Sequence, residues 1–222
     1  MSIKSPPPDI VIGRLPIYLR ALELLSRQGL EVTSSYELGE RLGASSAQIR
    51  KDLAQFGDFG KQGTGYNINF LMEQLRQILQ VNRVWEVVVM GAGHIGQALI
   101  HYQGFSQNQY RIVALFDTDT QKIGQNVNGI TIHSADQAAA YVAEHQIKFA
   151  MLTTPADAAQ TTADLIIEAG IQAILNYAPI TLNVPEHVRV EYIDPISKLQ
   201  HMTYYIEIDN ETELASQDAT DD

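Results

Sequence analysis

The stretch EVVVMGAGHIGQAL, Glu86 to Leu99, constrains the fold of this chain more than any other. Val87 to Met90 is an apolar run of the kind that is covered on both faces of a parallel sheet. Gly91, Gly93 and Gly96 follow in the spacing G-x-G-x-x-G, with Ala92, His94 and Ile95 between them, and a helical pattern opens at once. In that setting the first glycine allows a tight turn, the second lets backbone approach a pyrophosphate, and the third lets helix pack on strand. A second apolar run, RIVALFD, ends in Asp117, 21 residues beyond Gly96. A carboxylate there is placed to take the adenosine ribose hydroxyls, and it repels a 2′-phosphate, so NAD(H) is favoured over NADP(H). Any doubly wound fold with a glycine turn shares part of this pattern.

The alternation continues. ITIH, FAMLTTP, QAILNYAP and VRVEYID read as strands, separated by the helices SADQAAAYVAEHQ and ADAAQTTADLIIEAG, and PISKLQHMTYYIEI is a final helix. Ligands of such sheets bind outside the carboxyl ends of the strands. Thr153, Thr154 and Pro155, and Asn176 and Tyr177 in the run to Pro179, are therefore placed to line the nicotinamide side, although plain loop chemistry explains them equally well. A dehydrogenase also needs an acid–base residue beside the nicotinamide. The six histidines are scattered, no Lys–His or Tyr–Lys pair stands at a strand end, and no metal-ligand set is present. The sequence thus gives a dinucleotide fold without catalytic residues.

More than eighty residues precede this unit. RLPIYLRALELLSRQG carries Leu15, Tyr18, Leu19, Leu22 and Leu25 at helical spacing. SSYELGERLG and SSAQIRKDLAQFG are short helices, each opening with capping-box spacing (Ser34 and Glu37, Ser45 and Gln48) and joined through Gly43 and Ala44. Three helices in this arrangement predict a helix-turn-helix. In the third, Ile49, Leu53 and Phe56 form the buried stripe. Ala47, Lys51, Ala54 and Gln55 lie opposite, flanked by Gln48 and Arg50. Small residues permit close approach to a groove, and amides and cations reach base edges. Ser45 and Ser46 offer hydroxyls and N–H groups to a phosphate. An ordinary surface helix would look similar. The next stretch, GDFGKQGTGYNI, reads as a glycine-rich hairpin with Lys61 near its tip and Gly63 in its turn, as in the wing of a winged-helix domain. A further helix, capped at Asn69, reads as a linker between domains.

Charge is divided along the chain. Residues 1–80 hold nine Lys/Arg against eight Asp/Glu, while residues 81–222 hold six against eighteen, within a net charge of −11. Seven of those acids lie in IEIDNETELASQDATDD, which reads as a solvated, disordered tail. The near-neutral first third leaves nucleic-acid docking open, because local charge decides it. There is no cysteine, no signal-peptide core and no membrane-length apolar run, which places the chain in the cytoplasm.

Taken together, SSYELGERLGASSAQIRKDLAQFGDFGKQGTGY, GAGHIGQAL and FDTDTQKIG resemble the Rex redox-sensing transcriptional repressors of bacteria. The resemblance runs from about Arg14 to Ile208; Thr120 departs from it, standing where proline is usual. It implies a homodimeric repressor that binds inverted-repeat double-stranded operator DNA and uses NADH/NAD+ as a regulatory ligand, with no catalysis, metal or membrane. It also implies that NADH releases the DNA, that the final helix is swapped between subunits, and that Tyr102 and Arg14 are alternative partners of Asp194. The expected fold class is α/β: a winged-helix domain (1–80), a Rossmann-type doubly wound parallel sheet (81–195), a C-terminal swapped dimerisation helix (196–208) and a disordered acidic tail (209–222). An NAD-dependent oxidoreductase with an appended helix-turn-helix, and a CoA-binding Rossmann protein, remain as alternatives.

Overall fold

A computed structural model describes the backbone of residues 7–61 and 63–218, and their side chains except those of residues 61 and 207–218. The chain divides into two compact units, Met1–Val84 and Trp85–Asp222, so the boundary lies a few residues beyond the expected one. The difference arises because the first buried strand begins only at Trp85.

The first unit runs α1 (Asp9–Ile12), α2 (Leu15–Arg27), β1 (Val32–Thr33), α3 (Ser35–Leu42), α4 (Ser46–Leu53), β2 (Gly60–Lys61), β3 (Gly65–Asn67) and α5 (Ile68–Ile78). Leu15, Tyr18, Leu22 and Leu25 of α2 meet Leu38, Ile49, Leu53, Ile68, Leu71 and Leu75 in one buried core. The serine caps form as the spacing predicts: the Ser34 and Ser45 hydroxyls accept the N–H groups of Glu37 and Gln48 at 3.1 and 3.2 Å. Neither box closes, however. The Glu37 carboxylate accepts from Thr33, and the Gln48 amide donates to Asp52. The hairpin β2–β3 is antiparallel, and β1, absent from the sequence reading, pairs with the other edge of β3. The cap of α5 is Asn67, not Asn69: its Oδ1 accepts the Phe70 N–H at 2.9 Å, because strand β3 runs straight into the helix.

The second unit contains β4 (Trp85–Met90), α6 (His94–His101), α7 (Gly104–Gln107), β5 (Tyr110–Asp117), β6 (Asn126–Val127), β7 (Ile130–Ser134), a 3-10 turn at Ala135–Gln137, α8 (Ala138–Glu144), β8 (Phe149–Leu152), α9 (Ala156–Glu168), β9 (Ala173–Asn176), β10 (Arg189–Tyr192) and α10 (Pro195–Asp218). The sheet order is β10-β9-β8-β4-β5-β7-β6. Every pairing is parallel except β6 with β7. The chain winds outward from β4 through β5 and β7, then returns to the other side of β4 and winds out through β8, β9 and β10. The order therefore reverses between β4 and β8, where α/β sheets bind ligands. Alternation along β4 fills both faces: Val88 and Met90 pack with Phe116, Leu152 and Ile166, while Val87 and Val89 pack with Leu115, Met151 and Ile100.

The last helix departs from expectation. Its backbone stays helical to Asp218, through residues expected to be a disordered tail. ETELAS is built of good helix formers with no glycine or proline to stop it, and acidity alone does not break a helix. The rest of the expected tail, residues 219–222, lies outside the described residues. Ile196, Leu199, Met202 and Ile206 are each more than half exposed, so these side chains of α10 stay largely uncovered among the described residues. No described helix is long and apolar enough to cross a membrane.

Candidate dinucleotide cleft and nucleic-acid interface

The glycine turn sits where the sheet order reverses. Gly91 has φ +108°, and a Cβ there would lie 2.8 Å from the Thr153 carbonyl oxygen. A Cβ on Gly96 would collide with the Gly91 carbonyl oxygen, so α6 can approach β4 only without a side chain. Gly93 is the opposite case: nothing in the chain lies within 4 Å of its would-be Cβ. That open side, at the N-terminus of α6, is where backbone can meet a pyrophosphate. His94 and Ile95 are exposed beside it, and Ala92 is buried. From β8, the Thr153 hydroxyl lies 3.0 and 2.8 Å from the carbonyl oxygens of Met90 and Gly91, which ties the turn to the neighbouring strand.

Asp117 is at the end of β5, as the sequence predicts, and its carboxylate is already in use. Oδ2 accepts the Ala92 N–H at 2.7 Å and Lys122 Nζ at 3.2 Å, and Oδ1 accepts the Asp119 N–H at 2.8 Å. Burial pushes its pKa up, but these donors together outweigh burial and hold the carboxyl below its ordinary value. Asp117 thus fixes the glycine turn in place. Thr154, at the end of β8, carries the one buried side-chain oxygen without a partner among the described residues. Buried hydroxyls are normally satisfied, so this strand end has room in its hydrogen bonding for a further polar group. Asn176, by contrast, is spent on structure: it bonds the backbone of Ala178 and Ile180. Burial raises the Tyr177 phenol, and Pro155 precedes the first turn of α9. An open glycine, an apolar Ile95, an orphaned hydroxyl and an acidic strand end together fit a dinucleotide. The ends of β8 and β9 supply Thr, Pro, Asn and Tyr.

In the first unit, Ala47 and Lys51 are exposed on α4 and Ala54 and Gln55 just beyond its end, while Ile49 and Leu53 are buried and Phe56 is half-buried. Ser45 and Ser46 form the N-terminal end of α4. Arg50 donates to the Ser35 hydroxyl at 3.0 Å, which links α4 to α3. An open groove of about 670 Å³ runs between the helices and the hairpin, bordered by Ser34, Ser35, Arg50, Gly63 and Tyr66. The Lys61 backbone lies in β2; its side chain is outside the described residues.

Sequence reasoning missed Asp52. It is fully buried, and its carboxylate accepts Arg14 Nε (2.6 Å) and Nη2 (2.8 Å), the Tyr18 hydroxyl (2.6 Å) and Gln48 Nε2 (2.6 Å). Burial raises its pKa most, but Arg14, Tyr18 and Gln48 together bring it below the ordinary value. The i, i+4 spacing of Gln48 and Asp52 was the only local signal. Arg14 is therefore paired with Asp52. Asp194 caps α10, its Oδ1 accepting the Ile196 N–H at 2.9 Å. Tyr102 is exposed and stacks edge-on against Phe105 at 5.2 Å. No hydrogen bond joins Tyr102 to Asp194 among the described residues.

A helical DNA-binding region joined to a Rossmann-like, mostly parallel sheet with an open glycine turn is the architecture of a transcription regulator that carries a nucleotide-binding domain. Residues 8–54 match the family described as "Putative DNA-binding protein N-terminus", and residues 82–180 match "CoA binding domain". The redox-sensing transcriptional repressor Rex of Chloroflexus aggregans is 50% identical over 93% of this chain and 97% of its own length. That of Brevibacillus brevis is 42% identical over 89% and 96%. The crystal structure of RSP in complex with beta-NAD+ and operator DNA superposes with a TM-score of 0.88 at 35% identity, covering 96% of this chain and 97% of that one. RSP in complex with beta-NADH gives 0.85 at 33% identity, covering 96% and 99%. The chain belongs to the Rex family of redox-sensing transcriptional repressors; it is a repressor and not an enzyme.

Proposed function

We propose that this chain represses transcription as a homodimer on inverted-repeat operator DNA and releases that DNA when NADH occupies the cleft between β4 and β8. The observation that carries the reading is the open side of Gly93 at the N-terminus of α6, where the sheet order reverses, in a chain of a redox-sensing repressor family. Gly93 and the N-terminus of α6 receive the pyrophosphate, Asp117 the adenosine ribose, and Thr153, Thr154, Pro155, Asn176 and Tyr177 line the nicotinamide side. The nicotinamide is a signal here, so no residue needs to supply a proton. Helix α4 enters the major groove with Lys51, Gln48 and Arg50, followed by Gln55 just beyond its end, Ser45 and Ser46 meet a phosphate, and the β2–β3 hairpin serves as a wing through Lys61 and Gly63.

Helix α10 completes the dimer. Its exposed Ile196, Leu199, Met202 and Ile206 need cover, and exchange of an identical element between protomers is a low-cost way to provide it. In the dimer, Tyr102 pairs with Asp194 of the partner subunit over NADH. Arg14 takes that carboxylate when Tyr102 withdraws, which requires it to leave Asp52. A phenol and a guanidinium can each donate to one carboxylate, in different geometries. The match to a CoA-binding family supports a second reading, in which CoA is the ligand. A gel shift on inverted-repeat DNA with NADH, NAD+ and CoA added separately tests both. Release by NADH alone supports the proposal; release by CoA and not by NADH replaces it.

A further inference from the structure

Asp52 lies on α4 and is used by nothing in the outward face of that helix, yet it is saturated. A carboxylate offers about four acceptor sites, and Asp52 receives four donors from Arg14, Tyr18 and Gln48. An ionised carboxylate cannot donate, so the Gln48 amide must turn its nitrogen, not its oxygen, toward Asp52. This settles an orientation that amides otherwise leave open. Gln48 is half-buried. Its Oε1 has no protein partner among the described residues and is not among the buried unsatisfied atoms, so it faces solvent. What Gln48 keeps free is one carbonyl oxygen and one N–H. Those are the groups a glutamine uses on the N6–H and N7 edge of adenine.

We propose that Asp52 is a positioning residue for base reading: from inside the domain it locks the Gln48 amide in the single orientation that selects adenine. This rests on the reading of α4 as the groove-entering helix. An amide free to turn presents donor and acceptor in either order and suits several bases. One that is anchored presents a fixed order. The same carboxylate is held by Tyr18 of α2, a bond that does not depend on Arg14, so the orientation of the reading amide stays set by the packing of two helices when Arg14 turns to Asp194.

The test titrates full-length protein into labelled operator and into variants with each half-site base pair replaced in turn. Wild type, Gln48→Met, Asp52→Asn and the double variant are compared. Gln48→Met is expected to lose discrimination at one A·T pair by roughly 5- to 150-fold. Asp52→Asn is expected to lose most of that discrimination at the same pair and little elsewhere, and the double variant no more than Gln48→Met. Full discrimination retained by Asp52→Asn, or weakening spread evenly over all sites, overturns the proposal and leaves Asp52 a structural anchor. Absence of operator binding by wild type would overturn the functional reading beneath it instead. If Asp52→Asn fails to fold, the side-chain amide protons of Gln48 in the wild-type protein decide. One shifted away from the ordinary glutamine position and slow to exchange supports the anchor; two at ordinary glutamine positions, both exchanging fast, overturn it.

Discussion

Asp52 and Asp117 are two held carboxylates, one in each unit, and both titrate below their ordinary value of 3.8. A depressed folded pKa contributes stability above the unfolded value, and that stability is lost as pH falls through the folded one. Tyr18 is the mirror case: burial first, and the bond to Asp52 second, push its phenol from 10.0 up to about 12. Its contribution is present below 10 and is lost as pH rises toward 12. The melting temperature of wild type should therefore fall faster than that of Asp52→Asn below about pH 4, and faster than that of Tyr18→Phe above about pH 10. Parallel melting curves would contradict the network. At Asp117 the informative change is Asn, which keeps an acceptor for the Ala92 N–H and removes the charge. Asp117→Asn should bind NADH more weakly and discriminate less against NADPH, as a fluorescence titration would read. Asp117 was legible in the sequence because a strand end and a spacing mark it. Asp52 was not, because an acid on a short polar helix looks like surface, and its partners Arg14 and Tyr18 lie 38 and 34 residues away.

Among the elements, the strand–turn–helix at β4 and α6 makes the sharpest contrast between two glycines of one motif. Gly93 has φ −74°, which alanine adopts freely, and open space where a methyl would go. Gly93→Ala should melt like wild type and lose NADH affinity, because its methyl points where the pyrophosphate must come. Gly96→Ala should lose both, since its methyl meets the Gly91 carbonyl and forces α6 off the sheet. Calorimetry and NADH titration together check this; equal NADH affinity in Gly93→Ala would move the pyrophosphate elsewhere. Elements with strong periodicity or caps were legible: α2, both capped helices, β4, β5 and α9 stand where the spacing puts them. Those that exist only through their neighbours were not. Strand β1 has two residues and is defined by its pairing with β3, and β6 by its pairing with β7. The far end of α10 is helical where its acidic composition suggests disorder, because acidity alone does not break a helix that lacks glycine and proline.

At the scale of the whole molecule, the proposal makes dimer formation through α10 the step that joins reading to sensing. Covering Ile196, Leu199, Met202 and Ile206 is worth about 1.5–3 kcal/mol per side chain at full burial. Truncation before Ser197 should therefore give monomers or aggregates in sedimentation, with poor operator binding, since a monomer forfeits half the site. Tyr102→Phe should bind NADH and DNA separately while losing much of the coupling between them; a fully NADH-responsive Tyr102→Phe would remove the phenol from the switch. A ligand shifts an equilibrium only by its differential affinity for the two states, and ten-fold discrimination needs about 1.4 kcal/mol. The most direct measurement holds total nucleotide constant, raises the NADH fraction from zero to one, and follows operator occupancy by fluorescence anisotropy. Occupancy should stay high in NAD+ and fall steadily as NADH replaces it. Occupancy that depends on total nucleotide alone, whatever its redox state, would contradict the account.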